Sequence, residues 1–129
     1  MTENKPRVMY VEDDADIREV AEFALEDEGF DLLFCAGGQE ALDQVLAFSP
    51  DLILLDVMMP GMDGPSTLQE LRKLPGLATA AVAFLTAKVQ PLEVEGFLAL
   101  GALEVIAKPF DPMALPGQIR ELLARGNRK

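Results

Sequence analysis

The 129-residue sequence has no histidine and a single cysteine. Without histidine there is no Ser-His-Asp triad and no His-ligated zinc site. Cys35 has no partner for an intrachain disulfide, which agrees with a reducing compartment. Between Phe34 and Ala36 it reads as a buried, inert thiol at a strand end. No apolar run approaches the ~20 residues that span a bilayer. The N-terminal Met1-Thr2-Glu3-Asn4-Lys5-Pro6-Arg7 lacks the apolar core of a signal peptide. A cytoplasmic chain without membrane contact is the expectation. Bases are scarce as well: 11 Lys and Arg face 22 Asp and Glu, a formal charge of −11. Direct nucleic-acid binding, which needs cations opposite phosphates, is disfavoured by that balance.

Half of the residues are apolar and 26% charged, ordinary for a soluble globular protein of one domain. The domain is expected over residues 5–125, with 126–129 as a short basic tail. Charge is distributed unevenly. Residues 12–31 hold ten acids against one base, Arg18, whereas the last ten residues carry a net charge of +3. Most of the acidic stretch reads as a solvated helix face, and part of it is suited to choosing a basic partner.

Strand-like and helix-like segments alternate along the chain. Strands are expected at 7–12, 30–36, 52–56, 80–85 and 103–107. Helices are expected at 15–28, 39–48, 65–74 and 91–100, with a last one starting near Leu115 and reaching about 124. In the first helix Ile17, Val20, Ala21, Ala24 and Leu25 fall at helical spacing, with Asp14 as N-cap and Gly29 as C-terminal stop. Pro65 suits a first helical turn, and Ser49-Pro50 and Pro75-Gly76 end helices. Five βα units imply an α/β fold: a parallel sheet with right-handed crossovers and helices on both faces.

Such sheets place their chemistry outside the strand C-termini. There the sequence sets Glu12-Asp13-Asp14 after Val8-Met9-Tyr10-Val11, Asp56 after Leu52-Ile53-Leu54-Leu55, and then Thr86 and Lys108. Carboxylates crowded without bases stay protonated or share a cation, and oxygen ligands suit a hard ion such as Mg²⁺. The set makes chemical sense around Asp56 as a nucleophile toward phosphorus. Lys108 brings a point charge and Thr86 a rotatable donor for phosphoryl oxygens, in a reaction that is mostly positioning and charge stabilisation. Taken singly, Asp56 reads as a turn residue, Thr86 as a local cap and Lys108 as solvated surface. In order, each at a strand end, they have no economical structural reading.

The motifs Val11-Glu12-Asp13-Asp14, Asp51 to Gly64 with Asp56 and Pro60-Gly61, Leu85-Thr86-Ala87-Lys88 and Lys108-Pro109-Phe110 resemble those of bacterial response-regulator receiver domains. The resemblance covers nearly the whole chain and implies a doubly wound (βα)5 fold with the flavodoxin-like strand order 2-1-3-4-5. It implies Asp56 as phosphoacceptor, Mg²⁺ held by Asp13, Asp56 and the Met58 carbonyl, with Glu12 acting through water, and Asp14 capping the helix. Thr86 would bind a phosphoryl oxygen and move inward, Lys108 would pair with the phosphate, and Lys108-Pro109 would be cis. The partners implied are a histidine kinase or histidine phosphotransfer protein and a downstream protein target, with the chain a monomer or a phosphorylation-dependent dimer. On this reading it is a stand-alone receiver, unless the sequence is a fragment of a longer protein, rather than an enzyme with a foreign substrate, and it catalyses only its own phosphoryl transfer and dephosphorylation.

Several positions depart from that pattern. Val105 stands where the family usually has an aromatic that rotates with the threonine. Gly96 interrupts the fourth helix and Pro116-Gly117 the start of the last. Lys88 lies where the family tunes dephosphorylation, or is a solvent-facing loop lysine. A receiver-like binding module that signals without phosphorylation is kept open by Val105. An aspartyl phosphatase would want a second Asp where Met58 stands, and a flavodoxin-like cofactor carrier would want amides and hydroxyls where Glu12-Asp13-Asp14 repels phosphate.

Overall fold

The computed structural model describes residues 5–126. Five strands, β1 (Arg7–Val11), β2 (Asp31–Cys35), β3 (Leu52–Asp56), β4 (Val82–Thr86) and β5 (Glu104–Ala107), alternate with five helices. These are α1 (Ala15–Leu25), α2 (Gly38–Phe48), α3 (Gly64–Arg72), α4 (Pro91–Ala99) and α5 (Leu115–Gly126). All pairings are parallel and the strand order is β2-β1-β3-β4-β5, as the sequence led us to expect.

Strands buried on both faces read as continuous apolar runs, and the pleat sends alternate residues to opposite sides. Met9, Val11, Ile53, Leu55, Val82 and Phe84 build one core with α2, α3 and α4. Val8, Tyr10, Leu52, Leu54, Ala83 and Leu85 build the other with α1 and α5. Continued one step past β1 and β5, the second alternation places Glu12 and Lys108 on the α1/α5 side together with Asp56 of β3. Thr86 has the opposite parity and shares its side with Phe84.

Helix ends follow their caps and correct several boundaries. Asp14 caps α1 by accepting from the amides of Asp16 (2.8 Å) and Ile17 (3.3 Å). The helix stops at Leu25, three residues before the expected 28, because Glu26 is extended and Asp27 is left-handed at φ 63°. Gly29, at φ 90°, therefore shapes the turn into β2 and is not the helix stop itself. Asp63 caps α3 through the Ser66 amide, with Pro65 in the first turn, so α3 runs from Gly64 to Arg72 and not over 65–74. β4 begins at Val82 and ends on Thr86. α5 starts at Leu115, where the missing amide of Pro116 falls among donors that have no intrahelical partner in any case. Gly126, placed with the basic tail on sequence grounds, is the last residue of α5; Asn127, Arg128 and Lys129 lie outside the described residues.

Two glycines have opposite constraints. A Cβ on Gly64 would lie 2.5 Å from the Asp56 carbonyl oxygen, so this residue lets the start of α3 approach the end of β3. Gly96 sits inside exposed α4 and a Cβ there meets nothing within 4 Å. Gly96→Ala is therefore expected to stabilise the fold by about 1 kcal/mol, while Gly64→Ala destabilises it, both read from urea denaturation midpoints. A loss of stability in Gly96→Ala would mean that α4 needs the glycine for something other than helix geometry.

Candidate functional site

The parallel register sets the ends of β1, β3 and β4 side by side: Val11 pairs with Leu55, and Asp56 with Leu85. Glu12 and Asp56 thus leave adjacent strands at one level, and both are 1% exposed. Lys108, just past β5, bridges them: its Nζ donates to Asp56 Oδ1 at 3.0 Å and to Glu12 Oε1 at 3.1 Å. Asp13 is exposed at the rim, and one carboxylate oxygen from each of Glu12, Asp13 and Asp56 lies within 4.8 Å of the others. Asp14 is not in this group; it is spent on the α1 cap.

Electrostatics here are unresolved by protein groups alone. Burial, the largest influence, pushes the Glu12 carboxyl up to about 7; hydrogen bonds from Lys108 and the Asp14 amide pull it down, and Asp56 pushes it up again. Burial works to lower the Lys108 value, but hydrogen bonds and charge from Asp56 and Glu12 together raise it. Asp56 Oδ2 is buried with no hydrogen-bond partner. A buried carboxylate oxygen without a donor costs free energy, so this atom is suited to a cation or an electrophile. Three convergent carboxylates, with an orphaned oxygen on Asp56, fit a hard divalent ion such as Mg²⁺.

Around this centre, Thr86 is buried at the end of β4 and its Oγ accepts from the Lys88 amide at 3.0 Å. Its own proton remains available for donation toward the cluster. Met58 lies in the β3–α3 loop and is 66% exposed. The Lys108-Pro109 bond is cis, as the family resemblance implied. Val105 is half-buried on β5, beside Phe84 in the register.

Three contributors were not found by reading the sequence. Arg18 donates to the carbonyls of Glu12 (2.7 Å) and Asp13 (3.1 Å), holding the acidic turn by its backbone. Its signal was there, as the only base among ten acids. Gly64 admits α3 against the Asp56 carbonyl. Tyr10, two residues before Glu12 on the same side of β1, is fully buried between Phe34 and Phe110, and its hydroxyl has no partner. Burial, then the charges of Glu12 and Asp56, raise its pKa and keep the phenol neutral.

The comparisons agree with this geometry. The family model for the response regulator receiver domain matches residues 8–120. The chain is 37% identical over 123 residues to the DNA-binding response regulator MtrA of Mycolicibacterium paratuberculosis, covering 95% of this chain and 53% of that one. It is 38% identical over 122 residues to the transcriptional regulatory protein CseB of Streptomyces coelicolor, covering 95% and 51%. The chain thus spans about half the length of these relatives. Among solved structures, the chemotaxis protein CheY4 of Vibrio cholerae superposes with a TM-score of 0.86 at 28% identity, covering 92% of this chain and 99% of that one. The receiver domain of Francisella response regulator 1452 gives 0.84 at 30%, covering 93% and 98%.

The raised Glu12 value has a pH consequence with a definite sign. In the folded, metal-free chain Glu12 keeps its proton up to about 7, above its ordinary value of 4.5, so this group's contribution to stability is lost as pH rises between those values. Cation binding at the cluster must displace that proton. Calorimetric Mg²⁺ affinity is therefore expected to rise with pH and level off above about 7, steepening toward about tenfold per pH unit on the acid side. An affinity unchanged between pH ~5.5 and ~8 would contradict this assignment.

Proposed function

The chain belongs to the response regulator receiver domains, and on that premise we propose that it is a phosphorylation-driven switch of a two-component system with Asp56 as the phosphoacceptor. The observation that carries the reading is the state of the Asp56 carboxylate: one oxygen paired with Lys108, the other buried and unpartnered beside Glu12 and Asp13. The free oxygen attacks phosphorus, an O–P bond forms as the bond to the donor nitrogen breaks, and the donor imidazole keeps the electron pair. Asp13, Asp56 and the Met58 carbonyl, with Glu12 through water, would hold Mg²⁺, which when bound neutralises charge between phosphoryl oxygens and carboxylates.

Lys108 already points at Asp56 and exchanges carboxylate for a phosphoryl oxygen with little travel. The Thr86 hydroxyl donates to another phosphoryl oxygen while its lone pair stays with the Lys88 amide. The donor is a histidine kinase or phosphotransfer protein, and the chain works in the cytoplasm, where it catalyses its own phosphorylation and hydrolysis and signals through protein contacts. Among the described residues no helix is long and apolar enough to cross a membrane. MtrA is named as DNA-binding; the charge of −11 leads us to place no nucleic-acid contact on the present chain.

Intact-protein mass spectrometry after incubation with acetyl phosphate and Mg²⁺ tests the reading. One phosphoryl mass is expected on the wild type, Mg²⁺-dependent, absent from Asp56→Ala and reduced at least about tenfold in initial rate by Asp13→Ala. A wild type that binds Mg²⁺ yet gains no mass would favour a receiver-like module that signals without phosphorylation.

A further inference from the structure

Arg18 is the one base among the ten acids of residues 12–31, and its choice of partners is unusual. Asp14 precedes it by four residues and Glu22 follows it by four, the spacing at which arginine and carboxylate pair along a helix. Arg18 pairs with neither, nor with any other carboxylate among the described residues. Its Nη1 instead donates to two successive backbone carbonyls, Glu12 at 2.7 Å and Asp13 at 3.1 Å. A cation in the first turn of a helix also works against the helix dipole. Neither helix stability nor surface charge pairing therefore accounts for this placement.

The grip falls where the chain changes course. The β1 ladder ends with Val11 paired to Cys35 and Leu55, and α1 begins at Ala15. Successive carbonyls alternate in direction along an extended strand, whereas those of Glu12 and Asp13 converge on a single nitrogen, which fixes the turn between them. The carboxylates at this place are held unequally. Glu12 accepts from Lys108 at 3.1 Å and from the Asp14 amide at 3.2 Å, and Asp56 accepts from Lys108 at 3.0 Å. The exposed Asp13 carboxylate accepts from no group among the described residues. Its backbone, gripped by Arg18, is what keeps one of its oxygens within 4.8 Å of those of Glu12 and Asp56.

We infer that Arg18 is a positioning residue for the metal site: by gripping the Glu12 and Asp13 carbonyls it presets the Asp13 carboxylate for a divalent cation that it does not itself touch. Only the use of that cation in phosphoryl transfer rests on the receiver reading. Two effects of Arg18 on cation affinity oppose each other. A guanidinium beside the cluster repels a second cation, so its charge alone weakens binding. The grip strengthens binding, because a carboxylate already held in place loses less freedom when the ion arrives. Groups outside the coordination sphere that orient ligands are worth about 10–100-fold in metal affinity. The Arg18 charge is only half-buried and stands among ten acids, so water and counter-charge screen its repulsion. Positioning is the larger effect.

The test is a calorimetric Mg²⁺ titration of the full chain, with Arg18→Met and Arg18→Lys beside the wild type. Arg18→Met removes the charge and both hydrogen bonds and is expected to weaken Mg²⁺ about tenfold; an arginine acting by charge alone would give the opposite sign, tighter binding. Arg18→Lys keeps the charge and one donor nitrogen, and is expected to recover part of that loss, whereas charge alone would make it bind more weakly than Arg18→Met. At saturating Mg²⁺, acetyl phosphate is expected to label Arg18→Met within about twofold of the wild-type rate, a change in half-saturation without a change in plateau. Unchanged ¹⁵N amide shifts in β3 and β4 verify the fold; should Arg18→Met not fold, weaker Mg²⁺ binding by Arg18→Lys than by wild type decides. Unchanged or tighter binding by Arg18→Met, Arg18→Lys no tighter than Arg18→Met, a labelling deficit that persists at saturating Mg²⁺, or a wild type that binds no Mg²⁺ would each overturn the inference. A wild type that binds Mg²⁺ but is not labelled loses the receiver reading alone, and the role of Arg18 is then decided by the titrations.

Discussion

The Lys108 ammonium lies 3.0 Å from Asp56 and 3.1 Å from Glu12, two carboxylates that the fold removes from water at the edge of the sheet. Desolvating two acids costs several kcal/mol per ion unless opposite charge and hydrogen bonds compensate. One ammonium for two carboxylates is incomplete compensation: the Glu12 proton is held up to about 7, and Asp56 Oδ2 is left with no partner. At these buried acids the missing positive charge falls where a cation and a phosphoryl group would supply it. Much of the surrounding architecture serves to keep those three side chains together. β5 must return beside β4 to deliver Lys108, and β1 and β3 must be neighbours for Glu12 and Asp56 to meet.

Pleat parity then divides the site. Glu12, Asp56 and Lys108 continue the alternation that faces α1 and α5, while Thr86 continues the one that faces α4. The two carboxylates and the ammonium lie on one side, and the Thr86 hydroxyl leads to the other.

Much of this was legible from residue order, for physical reasons. Strands buried on both faces must be apolar runs, so β1, β3 and the loops that end them were readable, and the acids after them marked the sheet's C-terminal edge. Asp14 was readable as a cap because a short side-chain acceptor serves first-turn amides, whereas the Asp63 cap of α3 emerged only from the structure. The roles of Arg18, Gly64 and Tyr10 were hidden. Arg18 acts on backbone carbonyls six and five residues back, a contact that leaves no charge pattern. Gly64 matters through a carbonyl brought close only by tertiary packing. Tyr10 reads as one more apolar strand residue until its ring is seen wedged between Phe34 and Phe110. The α1 C-terminus was misplaced because Gly29 is the usual stop signal, yet Asp27 took the left-handed position two residues earlier.

The contrast between the helices bears on how a change at Asp56 would leave the site. α5 buries Leu115, Pro116, Ile119, Leu122 and Leu123, and α3 buries Leu68 and Leu71; α4 buries nothing. Its attachment centres on half-buried Phe97, whose ring stands 5.4 Å from that of Phe84. Phe84 lies two residues before Thr86 on the same side of β4, and the Thr86 hydroxyl accepts from the Lys88 amide in the loop that enters α4. Movement of Thr86 toward Asp56 would therefore pull on both the ring contact and the loop of the least anchored helix in the fold. With Val105 opposite Phe84 there is no aromatic on β5 to rotate. The path of least resistance runs through Phe84, Phe97 and α4, where local opening costs least because so little apolar surface must be uncovered.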